Sequence, residues 1–467
     1  MIEITPILDS KSSKPLYIQL SDYIKQEITT GKIQSKEKLP SKRKLSQYLD
    51  VSVNTVQAAY DQLRAEGYIE SKQRKGLFVT SLEDDLFANQ TYSQEWQTKD
   101  KQVHSVVDID FNSGTVDLKH FPYTTWRKLT MQSLYEDRGE LLYTGDPKGE
   151  IPLREEIAKY LYESRGVRCS ADQIVIGAGT QVLMGLLCLI IGKESTYALE
   201  NPGFHRTMAV LEDQIINTIP IPLDDDGIEI KQLKGSDARV VYVTPSHQFP
   251  YGMVMPIDRR MELLKWAEQI DGYIIEDDYD GEYRYKGKPI PSLQGLDTNG
   301  RVIYLGTFSK SLIPSIRISY MVLPPSLIQK YQDHFTIYKQ TVSRLHQDTL
   351  FRFMNEGHWQ RHLNKMRILY RKKQKSLMTA IHHNFGDQLN VIGEKSGLHI
   401  VLEIKKNLSE EELIKRARKV GVKVYPISLY YKGEKKRTDH KILLGFGGLS
   451  EKEIEDGIRL LKEVWGI

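Results

Sequence analysis

A lysine with hydroxylated neighbours follows a short apolar segment in the second half of the chain. Residues 302–305 are β-branched, aromatic or aliphatic, which is typical of a buried strand, and Lys310 comes shortly after them. Open α/β sheets bind ligands at the carboxyl ends of their strands, and a partly dry site favours the free amine that a Schiff base requires. Thr307, Ser309 and Arg317 could bind a phosphate group. The pattern indicates a pyridoxal 5′-phosphate (PLP) site, with a solvated loop lysine as the alternative.

A second apolar segment, 273–275, is followed by acidic residues about thirty positions before the lysine. PLP withdraws electrons only while its ring nitrogen is protonated, and a neighbouring carboxylate favours that charged form. Asp277 is the candidate carboxylate, and Tyr279 could hydrogen bond to the ring hydroxyl. The alternative is a divalent metal site formed by Asp277, Asp278 and Asp280, but no His or Cys is near in sequence and the lysine would go unexplained. We therefore predict no metal.

A glycine turn lies between an apolar segment, 174–176, and a helical pattern that begins near residue 180. Free backbone amides at the start of a helix bind phosphate well, and Gly179, Thr180 and Gln181 are placed to provide them. Many α/β proteins use such a turn only for tight packing, so the turn alone is weak evidence for a phosphate site.

Composition indicates a multidomain globular protein. The length of 467 residues predicts two or three domains, and the sequence has neither an apolar run long enough to span a bilayer nor a signal-peptide pattern at its start. Cys169 and Cys188 form no disulfide or metal pattern and are expected in the core. We predict a cytoplasmic protein without a membrane partner.

Positive charge is concentrated at the start of the chain. Residues 1–80 contain 13 Lys and Arg against 9 Asp and Glu, whereas the remainder contains 52 of each. This division suggests a module that binds a polyanion, joined to a neutral body.

The first eighty residues predict a winged helix-turn-helix. Apolar residues recur at helical spacing over 16–28, 45–49 and 53–63, and two short strands, 68–72 and 77–80, follow. The third helix is expected to bury Val53, Val56, Tyr60 and Leu63. Polar residues at the helix starts would face bases and phosphates of double-stranded DNA. A basic turn between the strands would contact phosphates as well. The candidate DNA-binding residues are Ser41, Lys42, Arg43, Ser52, Asn54, Thr55, Gln57, Arg74, Lys75 and Gly76. The alternative is a helical module that docks another protein.

Two runs in this region, Leu39-Pro-Ser-Lys-Arg-Lys-Leu45 and Val53-Asn-Thr-Val-Gln-Ala-Ala-Tyr-Asp-Gln-Leu63, closely resemble the GntR type of winged helix. The chain from residue 108 onward resembles fold-type I aminotransferases, so the whole resembles the MocR/GabR family of bacterial transcription regulators. The implied fold is a winged helix plus a PLP-dependent α/β domain with a smaller α+β domain. We predict boundaries at 1–80 for the DNA-binding domain, 81–107 for a flexible linker and 108–467 for the body, with the small domain at about 350–467.

The resemblance also implies roles for individual residues. Lys310 would be the Schiff-base lysine, Ser309 and Arg317 would bind the phosphate, and Phe204 would stack on the pyridine ring. Further implied residues are Tyr143, which would reach the phosphate of the other subunit in a head-to-tail homodimer, and Arg206 and His247 on the effector side. No asparagine stands in 243–252, where transaminases present one to the ring hydroxyl, so His247 or Gln248 could replace it.

The sequence departs from the aminotransferase pattern near its end. The segment Leu444-Gly-Phe-Gly-Gly-Leu449 has glycine where an arginine would bind the substrate carboxylate. Losing such a charge-assisted pair weakens binding by about tenfold to a hundredfold. We therefore expect weak or absent transamination and favour a regulator that senses PLP, similar to the PdxR branch that controls vitamin B6 synthesis, on an operator with repeated half-sites. The alternatives are a regulator that senses an amino acid such as GABA through an external aldimine, and an active aminotransferase with an accessory DNA-binding domain.

Overall fold

The computed structural model describes residues 4–9, 12, 14–81, 108–135, 139–285, 290–406, 408–433 and 440–466. The chain divides into two compact units, residues 1–102 and 103–467, and each is considered by itself. Nearly all of the predicted linker, 81–107, lies outside the described residues.

The first unit is a three-helix bundle followed by a β-hairpin. Its elements are α1 (Leu16–Thr29), α2 (Lys42–Leu49), α3 (Val53–Ala65), β1 (Ile69–Lys72) and β2 (Gly76–Val79). Leu20, Ile24 and Leu63 are completely buried in its core, as the helical spacing predicted. Val53 differs from the prediction: its side chain is 45% exposed, because it occupies the first turn of α3, beyond the edge of the bundle.

The second unit combines a large and a small sheet with flanking helices. In chain order its elements are β3 (Ile109–Asp110), α4 (Tyr123–Tyr135), α5 (Ile151–Arg165), β4 (Ile174–Gly177), α6 (Thr180–Ile191), β5 (Tyr197–Asn201), α7 (His205–Asp213), β6 (Thr218–Asp224), β7 (Gly227–Ile228), α8 (Ile230–Lys234), β8 (Val240–Val243), α9 (Ile257–Gln269), β9 (Tyr273–Asp278), β10 (Val302–Thr307), β11 (Ser319–Val322), α10 (Pro325–His334), α11 (Arg344–Asn355), α12 (His358–Phe385), β12 (Leu389–Ile392), β13 (His399–Ile404), α13 (Glu410–Lys419), β14 (Val422–Lys423), β15 (Tyr425–Pro426), β16 (Lys441–Gly445) and α14 (Glu451–Trp465).

The large sheet has eight strands in the order β4-β11-β10-β9-β8-β5-β6-β7 among the described residues. The five strands from β10 to β6 are parallel, and β11 runs antiparallel between β10 and β4. The central strands are buried on both faces, which explains their continuous apolar runs. The carboxyl ends of β4, β5, β8, β9 and β10 therefore meet at one edge of the sheet, where ligands bind in such folds.

The small domain is built on the sheet β12-β13-β16-β15, which packs against α12, α13 and α14. It also includes residues from the start of the body, because β3 pairs with β14 and Phe111 is completely buried in the same core. The predicted small domain, at about 350–467, therefore lacks the segment around residues 109–111 that belongs to it in the structure. No helix in the described parts of the chain is long and apolar enough to cross a membrane.

Candidate cofactor and DNA-binding sites

A cleft opens at the edge of the large sheet where the strands end. β4 leads to Gly179, β5 leads to Phe204, β9 carries Asp277, and β10 leads to Lys310. The cleft is lined by Gly179, Thr180, Gln181, Phe204, Arg206, Thr207, Asp277, Tyr279, Thr307, Ser309, Lys310, Arg317 and Ser319. Eleven of these thirteen residues are predicted cofactor or effector residues; Thr207 and Ser319 are the two that sequence reasoning missed. Residues far apart in sequence thus converge on one cleft.

The amine of Lys310 lies in a poorly hydrated part of this cleft. Burial lowers the pKa of Lys310 to about 8; the nearby Asp280 carboxylate opposes this shift and the Arg206 cation adds to it. The Nζ atom donates a hydrogen bond to the backbone oxygen of Ser113, on the segment that follows β3. A lysine with a lowered pKa has more free amine at neutral pH, which is the form that attacks an aldehyde.

Asp277 and Tyr279 face the cleft from the end of β9. Asp277 is 4% exposed, and burial raises its pKa to about 7, although the Tyr242 hydroxyl donates a hydrogen bond to Oδ2 and opposes the shift. The Tyr279 hydroxyl donates to the backbone oxygen of His247 at 3.0 Å. A protonated ring nitrogen beside Asp277 would supply the positive charge that this buried carboxylate lacks.

Other residues that line the cleft carry groups suited to a phosphate. Ser309 Oγ is buried without a hydrogen-bond partner among the described residues, which is costly unless a ligand supplies one. Gly179 has φ +100° and lies so close to the Arg317 guanidinium that any side chain at position 179 would collide with it. Arg317 Nη2 donates to the Ala178 oxygen at 3.2 Å, beside the first amides of α6. A hydroxyl, a guanidinium and a helix start together fit a phosphate group.

Phe204 and Arg206 occupy the start of α7, on one wall of the cleft. The Phe204 ring lies 4.3 Å from the Phe249 ring and meets the Tyr279 ring edge to face at 5.2 Å, measured between centroids. These contacts fix the orientation of Phe204 beside the cleft, as a stacking role requires. Arg206 is exposed and is not committed to a hydrogen bond with another described side chain, so its charge remains available to a ligand.

Two predicted residues do not line the cleft. Tyr143 is 76% exposed and lies outside the cleft of its own subunit. His247 is 2% exposed and lies behind Tyr279, where its Nδ1 atom is 3.0 Å from Asp280 Oδ1. Because Gly397 packs directly against the imidazole, the ring has no room to turn toward an effector. The structure thus differs from the effector-side position expected for His247.

The glycine-rich segment after β16 packs against residues at the start of the body. A side chain at Gly445 would collide with the backbone of Ser113, and one at Gly448 would collide with Thr115. The space that a substrate-binding arginine would need is therefore filled by the chain itself. Arg206 and Arg317 are the only arginines among the described residues that line the cleft.

The winged helix presents its candidate DNA-binding residues at two helix starts. Ser41 caps α2 by accepting a hydrogen bond from the Lys44 amide, and Ser52 caps α3 by accepting one from the Thr55 amide at 3.0 Å. Asn54 and Arg43 are exposed, whereas Lys42 donates a hydrogen bond to the Gln57 amide oxygen. Serine caps are favoured because they satisfy free amides at a helix start. A polar, rigid start of α3 is what insertion into a major groove requires.

The wing is the antiparallel hairpin of β1 and β2. Arg74 and Gly76 adopt positive φ values of 59° and 114°, which closes the tight turn that carries Lys75 at its exposed tip. The Lys72 ammonium lies 5.0 Å from the Phe78 ring centroid and supports the base of the hairpin. The wing therefore projects a positively charged tip that suits phosphate contacts.

These two units define a winged-helix regulator joined to an aminotransferase-like domain, and comparison with known proteins agrees. Residues 16–79 match the family described as "Bacterial regulatory proteins, gntR family", and residues 106–457 match "Aminotransferase class I and II". The chain belongs to the MocR/GabR subfamily of GntR-type transcription regulators, as the sequence predicted. GntR-type helix-turn-helix regulators bind DNA, and the fold and the family are those of a PLP domain, which confirms the predicted fold class and cofactor.

Several known regulators are similar to this chain over 95% or more of its length, so the similarity includes both units. The chain is 46% identical to the uncharacterized transcriptional regulator YdeL of Bacillus subtilis, over all of both sequences. It is 32% identical to the probable rhizopine catabolism regulator MocR of Rhizobium meliloti, over 98% of this chain and 95% of that one. It is 30% identical to the pyridoxine biosynthesis regulator PdxR of Corynebacterium glutamicum, over 95% and 96%.

The body alone is similar to solved aminotransferases. The kynurenine aminotransferase of Pyrococcus horikoshii, solved with PMP, is 28% identical and superposes with a TM-score of 0.67 over 76% of this chain and 90% of that chain. The multiple substrate aminotransferase of Thermococcus profundus is 25% identical, with a TM-score of 0.69 over 78% and 92%.

Proposed function

We propose that the protein is a transcription regulator that senses PLP: it binds PLP at Lys310, and this binding changes its affinity for operator DNA. The observation that carries the proposal is the convergence of eleven predicted cofactor and effector residues on one cleft, in a chain that also has a winged helix. The proposed target is the synthesis of vitamin B6. The 30% identity to a named pyridoxine biosynthesis regulator supports this target. The regulator that is 46% identical is uncharacterized and indicates no target.

The residues of the cleft have distinct proposed roles in binding. PLP supplies an aldehyde that condenses with an amine and a ring that withdraws electrons when its nitrogen is protonated. Lys310 provides the amine, and Asp277 holds a proton on the ring nitrogen. Ser309, the Arg317 guanidinium and the first amides of α6 hold the phosphate, while Phe204 excludes water from one face of the ring.

Sensing is favoured over turnover because no arginine of the small domain is among the described residues that line the cleft. The Ser113 backbone fills the space beside Gly445 and the Thr115 side chain fills the space beside Gly448, so a bidentate partner for a substrate carboxylate is absent from the described residues there. Such a pair is worth about 1.5–3 kcal/mol, which corresponds to about tenfold to a hundredfold in affinity. We therefore propose that transamination of ordinary amino acids is weak or absent.

The proposal is tested by titrating operator DNA with the protein at one fixed salt concentration, with and without PLP. We expect PLP to change the affinity or the protected DNA pattern of the wild-type protein and to have no effect on Lys310→Ala. Fixed salt is essential because phosphate contacts alone make binding strongly salt-dependent. Identical titrations of the wild-type protein with and without PLP would refute the proposal.

A second candidate is a regulator whose effector is an amino acid. Arg206 favours it, since this exposed cation on the wall of the cleft could pair with a carboxylate near Lys310. A panel of amino acids added to the PLP-loaded protein should then include one that changes the visible absorption and loses its effect in Arg206→Gln. A panel without any response would exclude this candidate. Multiple-turnover formation of a keto acid would instead identify an active aminotransferase.

We also propose a head-to-tail homodimer in which Tyr143 completes the site of the partner subunit. Large apolar side chains are exposed in the same stretch, including Tyr135 and Leu142, each 77% exposed. Mixed dimers test this arrangement. If Tyr143 serves the partner's site, a dimer of one Lys310→Ala subunit and one Tyr143→Phe subunit keeps one intact site and binds PLP with wild-type affinity. If Tyr143 acts within its own subunit, neither site is intact and the affinity stays low.

A further inference from the structure

A buried tyrosine lies directly behind Asp277. Tyr242 on β8 is 2% exposed, and its hydroxyl donates a hydrogen bond to Oδ2 of Asp277. The parallel pairing of β8 and β9 places Tyr242 opposite Ile275, so Asp277, two residues further along β9, lies on the same face of the sheet. Tyr242 does not line the cleft, and its contact with the site is made through this carboxylate.

The surroundings of Asp277 otherwise oppose its negative charge. Burial is the main cause of its raised pKa, and the carboxylates of Asp278 and Asp280 add to it; Glu200 on β5 is also close enough to interact. Asp278 forms an ion pair with Arg165 at 2.6 Å, whereas Tyr242 is the one hydrogen-bond donor to Asp277 among the described side chains. The charge of Asp277 thus depends on this hydroxyl.

The tyrosine hydroxyl is in turn contacted from the wall of the cleft. Burial raises the pKa of the Tyr242 hydroxyl well above its usual value, and the Thr207 side chain on α7 opposes this rise. Thr207 is next to Arg206 in sequence and lines the cleft. Tyr242 thus lies between Thr207, on the wall of the cleft, and Asp277, to which its hydroxyl donates.

We propose that Tyr242 is a positioning residue, which keeps Asp277 ionised and directed at the pyridine nitrogen of PLP, and that Thr207 orients the Tyr242 hydroxyl for this task. This inference rests on the proposed binding of PLP in the cleft.

The test compares two tyrosine variants by PLP affinity, measured through absorption or fluorescence of the bound cofactor. Tyr304 is the matched control: it is 2% exposed, lies on β10, and donates a 2.6 Å hydrogen bond to Asp278, which does not line the cleft. We expect Tyr242→Phe to bind PLP about tenfold to a hundredfold more weakly than the wild type, as for loss of a hydrogen bond to a charged group. Tyr304→Phe should retain wild-type affinity. Equal affinities in the two variants would overturn the inference.

A pH profile separates positioning from general loss of structure. Without its donor the pKa of Asp277 rises above about 7, so PLP affinity should fall at a higher pH in Tyr242→Phe than in the wild type as the solution is acidified. An unchanged profile would contradict the role. Thr207→Val removes the Thr207 hydroxyl and should shift the pH profile in the same direction by a smaller amount. This variant replaces Tyr242→Phe in the test if Tyr242→Phe does not fold.

A double-mutant cycle shows whether Tyr242 acts through Asp277. Adding Tyr242→Phe to Asp277→Asn should cause no further loss of PLP affinity, because the carboxylate that the tyrosine serves is already gone. Additive losses would mean that Tyr242 acts by another route and would overturn the inference. Failure of the wild-type protein to bind PLP would instead refute the proposed function.

Discussion

Raising the pH of the cofactor-free protein should increase the rate at which Lys310 captures PLP, up to a plateau just above the pKa of Lys310. Burial brings this pKa from 10.5 to about 8. At pH 7 roughly a tenth of Lys310 would then be uncharged, against roughly one part in three thousand for an ordinary lysine. The rate of capture should rise about fiftyfold between pH 6 and pH 8 and by less than about a tenth between pH 9 and pH 10.

Stopped-flow absorption measures this rate, and a small alkylamine in the same buffers corrects for ionisation of PLP itself. Two charge variants test the direction in which each neighbouring charge shifts the pKa of Lys310. Arg206→Gln removes a cation that lowers the pKa of Lys310, so its plateau should begin at a higher pH. Asp280→Asn removes a carboxylate that raises the same pKa, so its plateau should begin at a lower pH. A wild-type rate that still rises about tenfold per pH unit above pH 9 would refute the reasoning. Plateaus that move in the opposite directions in the two variants would refute it as well.

Three further predictions concern the phosphate site and the DNA-binding unit. Ser309→Ala should weaken PLP binding by about twofold to tenfold in an equilibrium titration, because it removes the hydroxyl that has no protein partner; Ser311→Ala, whose hydroxyl is 3.4 Å from a glutamate, should bind PLP as the wild type does. Replacing both Arg74 and Lys75 by Ala should weaken binding to all DNA sequences alike and reduce the slope of log affinity against log salt by about 1–2 in filter-binding or anisotropy assays. Unequal losses across sequences would show that the wing reads bases. Ser52→Ala should destabilise the start of α3 by about 1 kcal/mol, seen as faster hydrogen exchange of its first amides, with PLP affinity unchanged.

Sequence periodicity predicted the elements that carry the site, because the apolar patterns there are strong. The apolar runs at 273–275 and 302–305 became β9 and β10, and the acids and the lysine at their ends face one cleft. The predicted burial of Val53 was wrong for a physical reason. A helix pattern predicts which face of the helix is apolar, but it does not predict how far the neighbouring helices extend to cover the first turn.

Contacts between distant segments could not be predicted from the sequence. Ser113 contacts Lys310 only because β3 pairs with β14, and nothing in the local pattern of either segment indicates that parallel pairing. The sequence analysis did not single out Tyr242, because the contact of its hydroxyl depends on which strand lies beside β8. His247 lies where a cofactor-facing residue was expected along the chain, but its ring lies behind Tyr279 and contacts Asp280 and Gly397 instead.

The close packing of Gly445 and Gly448 on residues 113–115 has a consequence for protein engineering. Introducing an arginine at Gly445, in order to create a transaminase, would force the backbone of Ser113 away and disturb the oxygen that accepts the Lys310 hydrogen bond. An arginine at this position would therefore require a simultaneous redesign of the segment that opens the body, and substitutions made one at a time would meet a structural barrier there.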